Sequence, residues 1–134
     1  MKICFFEIRS PFSLSINNTS LNQCLFSYGT LQKTQTQIAL FGRILQGWPD
    51  VLNGYKTTTV EIKDEAFLAK GEQTMQQTAV ATNNENDSIE GTAFELTEEE
   101  LLNADKYEPE GYERIKIKLA SGKEAWLYVA IKET

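Results

Sequence analysis

The residues able to do chemistry are unevenly spread along this 134-residue chain, and the first fact about them is an absence: it has no histidine. Ser-His-Asp and Cys-His relays are therefore excluded. The two cysteines, Cys4 and Cys24, have no metal-type spacing and read as reduced thiols. They cannot replace histidine at a zinc site. Proton transfer falls to Asp, Glu, Tyr, Lys, Cys or a terminus. Two stretches hold suitable groups. Tyr28-Gly29-Thr30-Leu31 follows the apolar run Gln23–Ser27. A glycine after a buried strand lets the backbone turn tightly and approach a ligand, and successive N–H groups there can form an anion-binding nest. A plain structural turn has the same signature. Asp105-Lys106-Tyr107-Glu108-Pro109-Glu110-Gly111-Tyr112-Glu113-Arg114 gathers several carboxylates between a helix end and a strand start. One of them, shielded by Tyr107 or Tyr112, would have a raised pKa and could serve as general acid or base. The plainer alternative is a solvated acidic loop with an Asp or Glu pairing Arg114. Gly42-Arg43, with Gly47 and Leu52-Asn53-Gly54-Tyr55 beyond it, reads as turn punctuation and carries no chemistry on spacing alone.

These residues need elements to hold them. Gln23–Tyr28 reads as a buried strand ending at Gly29. Thr34 is expected to cap a helix from about Gln35 to Leu45, with Ile38, Phe41 and Leu45 on its buried face and Gly47 and Pro49 stopping it. Val51–Ile62 is β-rich and is expected to form one strand bulged near Gly54. Phe67–Ala69 and Thr78–Ala81 read as short strands, residues 82–88 as a polar loop, and Ile89–Leu96 as a strand. Thr97 and Glu100 form a capping box. They open a short helix that buries Leu101, Leu102 and Ala104 and stops near Asp105–Tyr107, because Pro109 disfavours a helical Glu108. Ile115, Ile117 and Leu119 alternate with lysines, and Ser121-Gly122 reads as a two-residue hairpin turn. Ala125–Ile131 is apolar on both faces, as expected of a central strand. The pattern is α+β.

Composition sets outer limits. The length suits one domain able to bury its own core. With 19 acidic against 13 basic residues the net charge is -6. Such a chain repels phosphate backbones and anionic membrane surfaces, so neither nucleic acid nor membrane is an expected partner. No apolar run approaches a membrane span. Glu7 and Arg9 interrupt the one stretch resembling a signal sequence, so a cytoplasmic location is expected. Residues 1–22 read as an N-terminal arm or extension, with an extra edge strand over Ile3–Ile8 as the alternative. Residues 23–134 read as the domain proper.

Taken in order, several pieces resemble the γ-glutamylcyclotransferase-like superfamily, also called the avirulence-induced-gene-like family. They are Leu25–Leu31, Leu52–Tyr55, Glu90–Leu96, Asp105–Glu108 with Tyr112-Glu113-Arg114, Ser121-Gly122 and Ala125–Val129. The resemblance implies a small mixed, mainly antiparallel β-barrel with short flanking helices and a cavity near its mouth. It implies that Tyr28, Gly29, Thr30 and Leu31 bind the glutamyl end of a substrate, with Tyr112 beside them, and that Glu108 is the catalytic acid/base. The reaction implied is cyclisation of a γ-glutamyl amide or isopeptide to 5-oxoproline and an amine or amino acid, with no metal and no cofactor. The partner implied is a small molecule or short peptide bearing a γ-glutamyl group, and a monomer is the default expectation. Glu108 is followed by Pro109 and Glu110 where the family often has glycine, which makes Glu110 the competing carboxylate. Glu108 is preferred because it stands three residues after Asp105, the family spacing. The alternative on the same fold is a non-catalytic module that binds a small metabolite or peptide.

Overall fold

In the computed structural model, which describes residues 21–131, seven strands and three α-helices follow one another. The order is β1 (Gln23–Ser27), a 3-10 turn (Thr30–Gln32), α1 (Thr34–Phe41), β2 (Gln46–Asn53), β3 (Tyr55–Glu61) and α2 (Glu65–Leu68). Then come β4 (Met75–Ala81), β5 (Ser88–Leu96), α3 (Glu98–Tyr107), β6 (Tyr112–Lys118) and β7 (Glu124–Ala130). Residues 1–20, and with them Cys4 and the Ile3–Ile8 alternative, lie outside the described residues.

Five strands form one sheet in the order β2-β5-β1-β7-β6, and β3 and β4 form a second, two-stranded sheet. Every pairing is antiparallel except β1 with β7. The expected α+β class with a mainly antiparallel sheet is present, but the sheet does not close into a true barrel. Alternation along the strands feeds two cores. Phe26, Ala93, Leu127 and Val129 pack with Leu52 and Ala79 between the two sheets. Leu25, Phe94, Leu96 and Tyr128 face the other way, against Leu31, Leu101 and Ala104. β7 therefore carries apolar side chains on both faces, as an interior strand should.

Several local expectations give way to competing physics. Val51–Ile62 is not one bulged strand. Gly54 adopts φ 83, a left-handed conformation, and the chain there leaves the large sheet for the small one. β2 begins before Val51 and includes Pro49, which its place at the sheet edge tolerates. α1 ends at Phe41 because Gly42 turns left-handed at φ 74 and bonds its N–H to Ile38 O. Leu45 is thus buried from outside the helix, Ile38 is 50% exposed, and the buried helical side chain is Gln37. Lys33, not Thr34, stands at the N-cap position and supplies no side-chain cap. Phe67 lies in the helix α2, where Asp64 caps the N–H groups of Ala66 and Phe67. The Thr97–Glu100 capping box forms in full, and α3 stops at Tyr107 with Leu101 and Ala104 buried but Leu102 exposed. At the last hairpin Lys118 pairs with Glu124, so the loop is longer than two residues, and Gly122 takes φ 94 within it.

Two features bring the chemistry-bearing stretches together. β5 crosses β1 so closely that a Cβ at Gly91 would stand 2.5 Å from Ser27 O. Only glycine permits that approach, which fixes the end of β1 where the Tyr28–Leu31 segment begins. α3 packs on the helix-side core and points its C-terminal end, Tyr107 and Glu108, at the same region. No described helix is long and apolar enough to cross a membrane.

Candidate active site

A small cavity of about 60 Å³ opens beyond the end of β1. Its wall includes Tyr28, Gly29, Thr30 and Leu31 on one side and Glu108, Pro109 and Tyr112 on another, with Tyr128 from β7 and Phe67, Gln76 and Gln77 from the α2–β4 region. The two stretches separated by about eighty residues in sequence thus share one concave surface.

The Tyr28–Leu31 segment is held by its own side chains. Leu31 is buried in the helix-side core. Its carbonyl accepts a 2.8 Å hydrogen bond from Gln37 Nε2, while Gln37 Oε1 accepts from Leu45 N at 2.8 Å. Gln37 is therefore buried because both ends of its amide are satisfied. The Tyr28 hydroxyl donates to Tyr128 O at 3.0 Å and accepts from Ala79 N at 2.9 Å, so it joins β1, β7 and β4. Gly29 departs from expectation in one respect. Its φ of -138° is not left-handed, so no tight turn demands glycine there. What glycine supplies is room, since a Cβ at this position would meet nothing within 4 Å. The following 3-10 turn bonds Gln32 N to Gly29 O and Lys33 N to Thr30 O. The N–H groups of Thr30 and Leu31 at its start have no backbone partner among the described residues.

Glu108 and Asp105 leave the same helix end under opposite conditions. Burial is the main influence on Glu108. Nearby Lys70 opposes it, Asp105 and Glu72 add to it, and the balance pushes its carboxyl up to about 7. No hydrogen bond from a described group offsets the burial. Burial also disfavours the ionised form of Asp105. There, however, Arg114 binds both oxygens at 2.8 Å, Tyr128 Oη donates at 2.5 Å, and the carboxyl ends below its ordinary value. The Arg114 guanidinium also lies 4.3 Å from the centre of the Trp126 ring. The plain pairing expected for Arg114 is thus real, and it involves Asp105.

Tyrosines surround the Glu108 carboxyl. Tyr28 is pushed up to about 12, chiefly by burial, and Tyr107, Tyr112 and Tyr128 are raised further, in each case mainly by burial with the Glu108 charge adding to it. All four stay protonated near neutral pH. Glu110, the competing carboxylate, is exposed and lines a separate, wider groove on the other side of Tyr112. Among the described residues no group of three or more Asp, Glu or Cys side chains is arranged to hold a metal ion.

Gln37, Asp64, Phe67 and the Gln76-Gln77 pair were not legible as site residues. Gln37 acts through the backbone of Leu31 and Leu45, Asp64 through a backbone N–H 46 residues away, and Phe67 reaches the cavity only because α2 is a helix.

Residues 25–134 match the family described as Gamma-glutamyl cyclotransferase, AIG2-like. Among solved structures the chain is similar to one described as Gamma-glutamyl cyclotransferase, with 17% identity and a TM-score of 0.63 over 82% of this chain and 67% of that one. It is also similar to two Arabidopsis thaliana proteins known as solution structures. At3g28950.1 is 18% identical with a TM-score of 0.61, covering 81% of this chain and 62% of that one. At5g39720.1 is 17% identical with a TM-score of 0.65, covering 84% and 70%. The chain thus spans about two-thirds of the length of these proteins, and the likeness at such identities is one of fold. No curated protein sequence matches the chain.

Proposed function

The chain belongs to the Gamma-glutamyl cyclotransferase, AIG2-like family, and from that premise we propose that it cyclises a γ-glutamyl amide or isopeptide to 5-oxoproline, releasing an amine or amino acid. The observation that carries this reading is that Glu108 and the Tyr28–Leu31 backbone line one cavity. We take residues 23–134 as the unit responsible and residues 1–22 as an arm.

In this reading the Gly29–Leu31 backbone binds and orients the glutamyl end. The Thr30 and Leu31 N–H groups, which have no backbone partner among the described residues, receive the substrate carboxylate or the developing oxyanion. The open space at Gly29 lets the ligand approach the backbone, and Tyr112 forms the facing wall. The substrate's own α-amine is the nucleophile, and ring closure brings it to the γ-carbonyl at high effective molarity. The amine nitrogen bonds to the γ-carbon as Glu108 takes its proton. The γ-carbon's bond to the departing nitrogen then breaks as Glu108 returns that proton. A carboxyl at about 7 has both forms populated near neutral pH, which suits a group that must take a proton and give it back. Glu110 faces the other groove and is left out of the reaction.

The test is 5-oxoproline release from a panel of γ-glutamyl amino acids and γ-glutamyl-ε-lysine. At least one should turn over, and Glu108→Gln should lower kcat about 10²-fold. Calorimetric binding of these compounds with no 5-oxoproline formed would instead make the protein a binding module on the same fold.

A further inference from the structure

The segment from Asp64 to Glu72 touches the acid loop on both sides of Glu108. On the N-terminal side, Lys70 Nζ donates to Tyr107 O at 2.9 Å and lies 4.6 Å from the centre of the Tyr107 ring. Glu72 accepts from the Tyr107 hydroxyl. Phe67 meets the same ring edge-on, with centroids 6.0 Å apart. On the C-terminal side there is one contact, Glu110 N donating to Asp64 Oδ2 at 2.8 Å. The other oxygen, Oδ1, caps α2 through Ala66 N at 3.0 Å and Phe67 N at 3.4 Å. The bond from Glu110 N is the leading reason that the Asp64 carboxyl sits below its ordinary value, with burial opposing it and the capping bonds and Lys70 assisting. Between the two anchored residues lie only Glu108 and Pro109. Pro109 is itself buried, and its carbonyl accepts from Tyr112 N at 3.2 Å.

We propose that Asp64 is a positioning residue: one carboxylate ties the cavity-lining helix α2 to the peptide N–H of Glu110 and so fixes the direction in which Glu108 enters the cavity. For its catalytic consequence the inference rests on the cyclotransferase reading. Its geometric content stands apart from that reading. Without the Asp64 bond the Pro109-Glu110 peptide is tied to the fold on this side only through the turn, by Tyr112 N to Pro109 O at 3.2 Å and Ile131 N to Gly111 O at 2.6 Å, so Glu108 can shift with that turn. Displacements of about 1 Å at a reacting group cost on the order of 10²-fold in rate, so a single tether two residues away is enough to matter.

The turn geometry offers a clean way to cut that tether. Pro109–Tyr112 closes through Tyr112 N to Pro109 O, with Gly111 at φ 97 in the third position. This is the pattern of a type II turn, whose second position favours proline. Glu110→Pro therefore suits the turn while deleting the N–H that Asp64 accepts. Glu110→Gln keeps that N–H and removes only the charge. Asp64→Ser is the complementary change. Serine caps helices about as well as aspartate, but its one short hydroxyl cannot reach Glu110 while capping α2.

The experiment measures, for each variant, kcat and KM for 5-oxoproline release and the titration of the Glu108 side-chain carboxyl by ¹³C NMR. The groups facing that carboxyl are Lys70 and Glu72 beyond α2, Asp105 and Tyr107 on α3, Tyr28 after β1, Tyr112 on β6 and Tyr128 on β7, and none is altered in these variants. Glu110→Pro and Asp64→Ser should each lower kcat roughly tenfold with KM changed less than about twofold. Each should also move the Glu108 midpoint down from about 7 as the loosened side chain gains water. Glu110→Gln should match the parent in both readouts. If Glu110→Pro and Asp64→Ser fold with kcat and midpoint unchanged, Asp64 is only a helix cap and the proposal is wrong. A kcat loss in Glu110→Gln equal to that in Glu110→Pro would also overturn it, by assigning the effect to the Glu110 charge. Should the parent release no 5-oxoproline, the titration still decides: a midpoint that moves keeps the positioning role and removes the cyclotransferase reading alone.

Discussion

Asp105 and Glu108 are two carboxylates three residues apart at one helix end, and their surroundings drive them in opposite directions. Asp105 looks toward β6 and β7, where Arg114 and Tyr128 supply three hydrogen bonds to its oxygens. Glu108 looks into a cavity bounded by backbone, tyrosines and Phe67, with no hydrogen bond from a described residue to favour its charge. One is held ionised and braces the fold, and the other is poised between its two forms. Composition cannot make this distinction, because the residue types are nearly equivalent. What separates them is the direction each takes on leaving α3. Pairs of carboxyls whose environments push them apart are a recurrent basis for acid/base assignment.

The comparison can be broken at either member. The largest effect expected is on turnover in Glu108→Gln, about 10²-fold in kcat. The same substitution in Asp105→Asn should act first on stability. It removes a charge-assisted pair from Arg114, which is mostly buried, at a cost of roughly 1–2 kcal/mol measured by denaturant unfolding. It should also move the Glu108 midpoint below about 7, since the Asp105 charge is among the causes raising it. An unchanged Glu108 midpoint in Asp105→Asn would mean that the two groups do not sense each other.

A smaller effect concerns stability against pH, and its sign differs for the two groups. The Asp105 carboxyl lies below its ordinary value in the folded protein, so its contribution is present above the unfolded pKa and is lost as pH falls through the folded one. Glu108 is raised from 4.5 to about 7, so the folded state holds its proton where the unfolded chain has lost it. Its contribution is therefore destabilising, growing between about 4.5 and 7 and constant above that. Glu108→Gln should then raise the melting temperature more at pH 8 than at pH 4.5. A smaller gain at pH 8 would contradict a half-buried carboxyl without a hydrogen-bond partner among the described residues.

The smallest change tested lies on the opposite wall. Gly29→Ala places a methyl where nothing now stands within 4 Å. It should raise KM, by roughly tenfold, with kcat less affected, as expected when ground-state binding is lost. Equal loss in kcat would point to the oxyanion rather than the carboxylate as the group bound there.

Much of this architecture is legible in the sequence where a residue's neighbours along the chain decide its state. β1, β5, β7 and the Thr97–Glu100 capping box follow from local alternation and capping chemistry, and α3 ends where Pro109 requires. The misreadings occur where specific contacts outweigh the apolar pattern. Ile38 looks like a buried helical residue, but Gln37 takes the interior because Leu31 O and Leu45 N both need a partner. Phe67 and its neighbours look extended, but a capping carboxylate at Asp64 sets a helical turn. Gly54 reads as a bulge, yet the chain leaves one sheet for another there. At the site, Tyr28–Leu31 and Glu108 are visible from the order of motifs, and the fold brings them to one cavity. Asp64 is not visible, because its partner is a backbone N–H 46 residues away and no side-chain type announces such a bond.

The central claim is that Glu108, lining the cavity with the Tyr28–Leu31 backbone, transfers the proton. The most direct measurement is kcat for 5-oxoproline release across pH, in the parent and in Glu108→Gln. The parent should rise through a midpoint near 7 as the carboxylate forms, and the variant should lose that limb together with about 10²-fold in rate. A folded Glu108→Gln protein that keeps both the rate and the limb would contradict the claim.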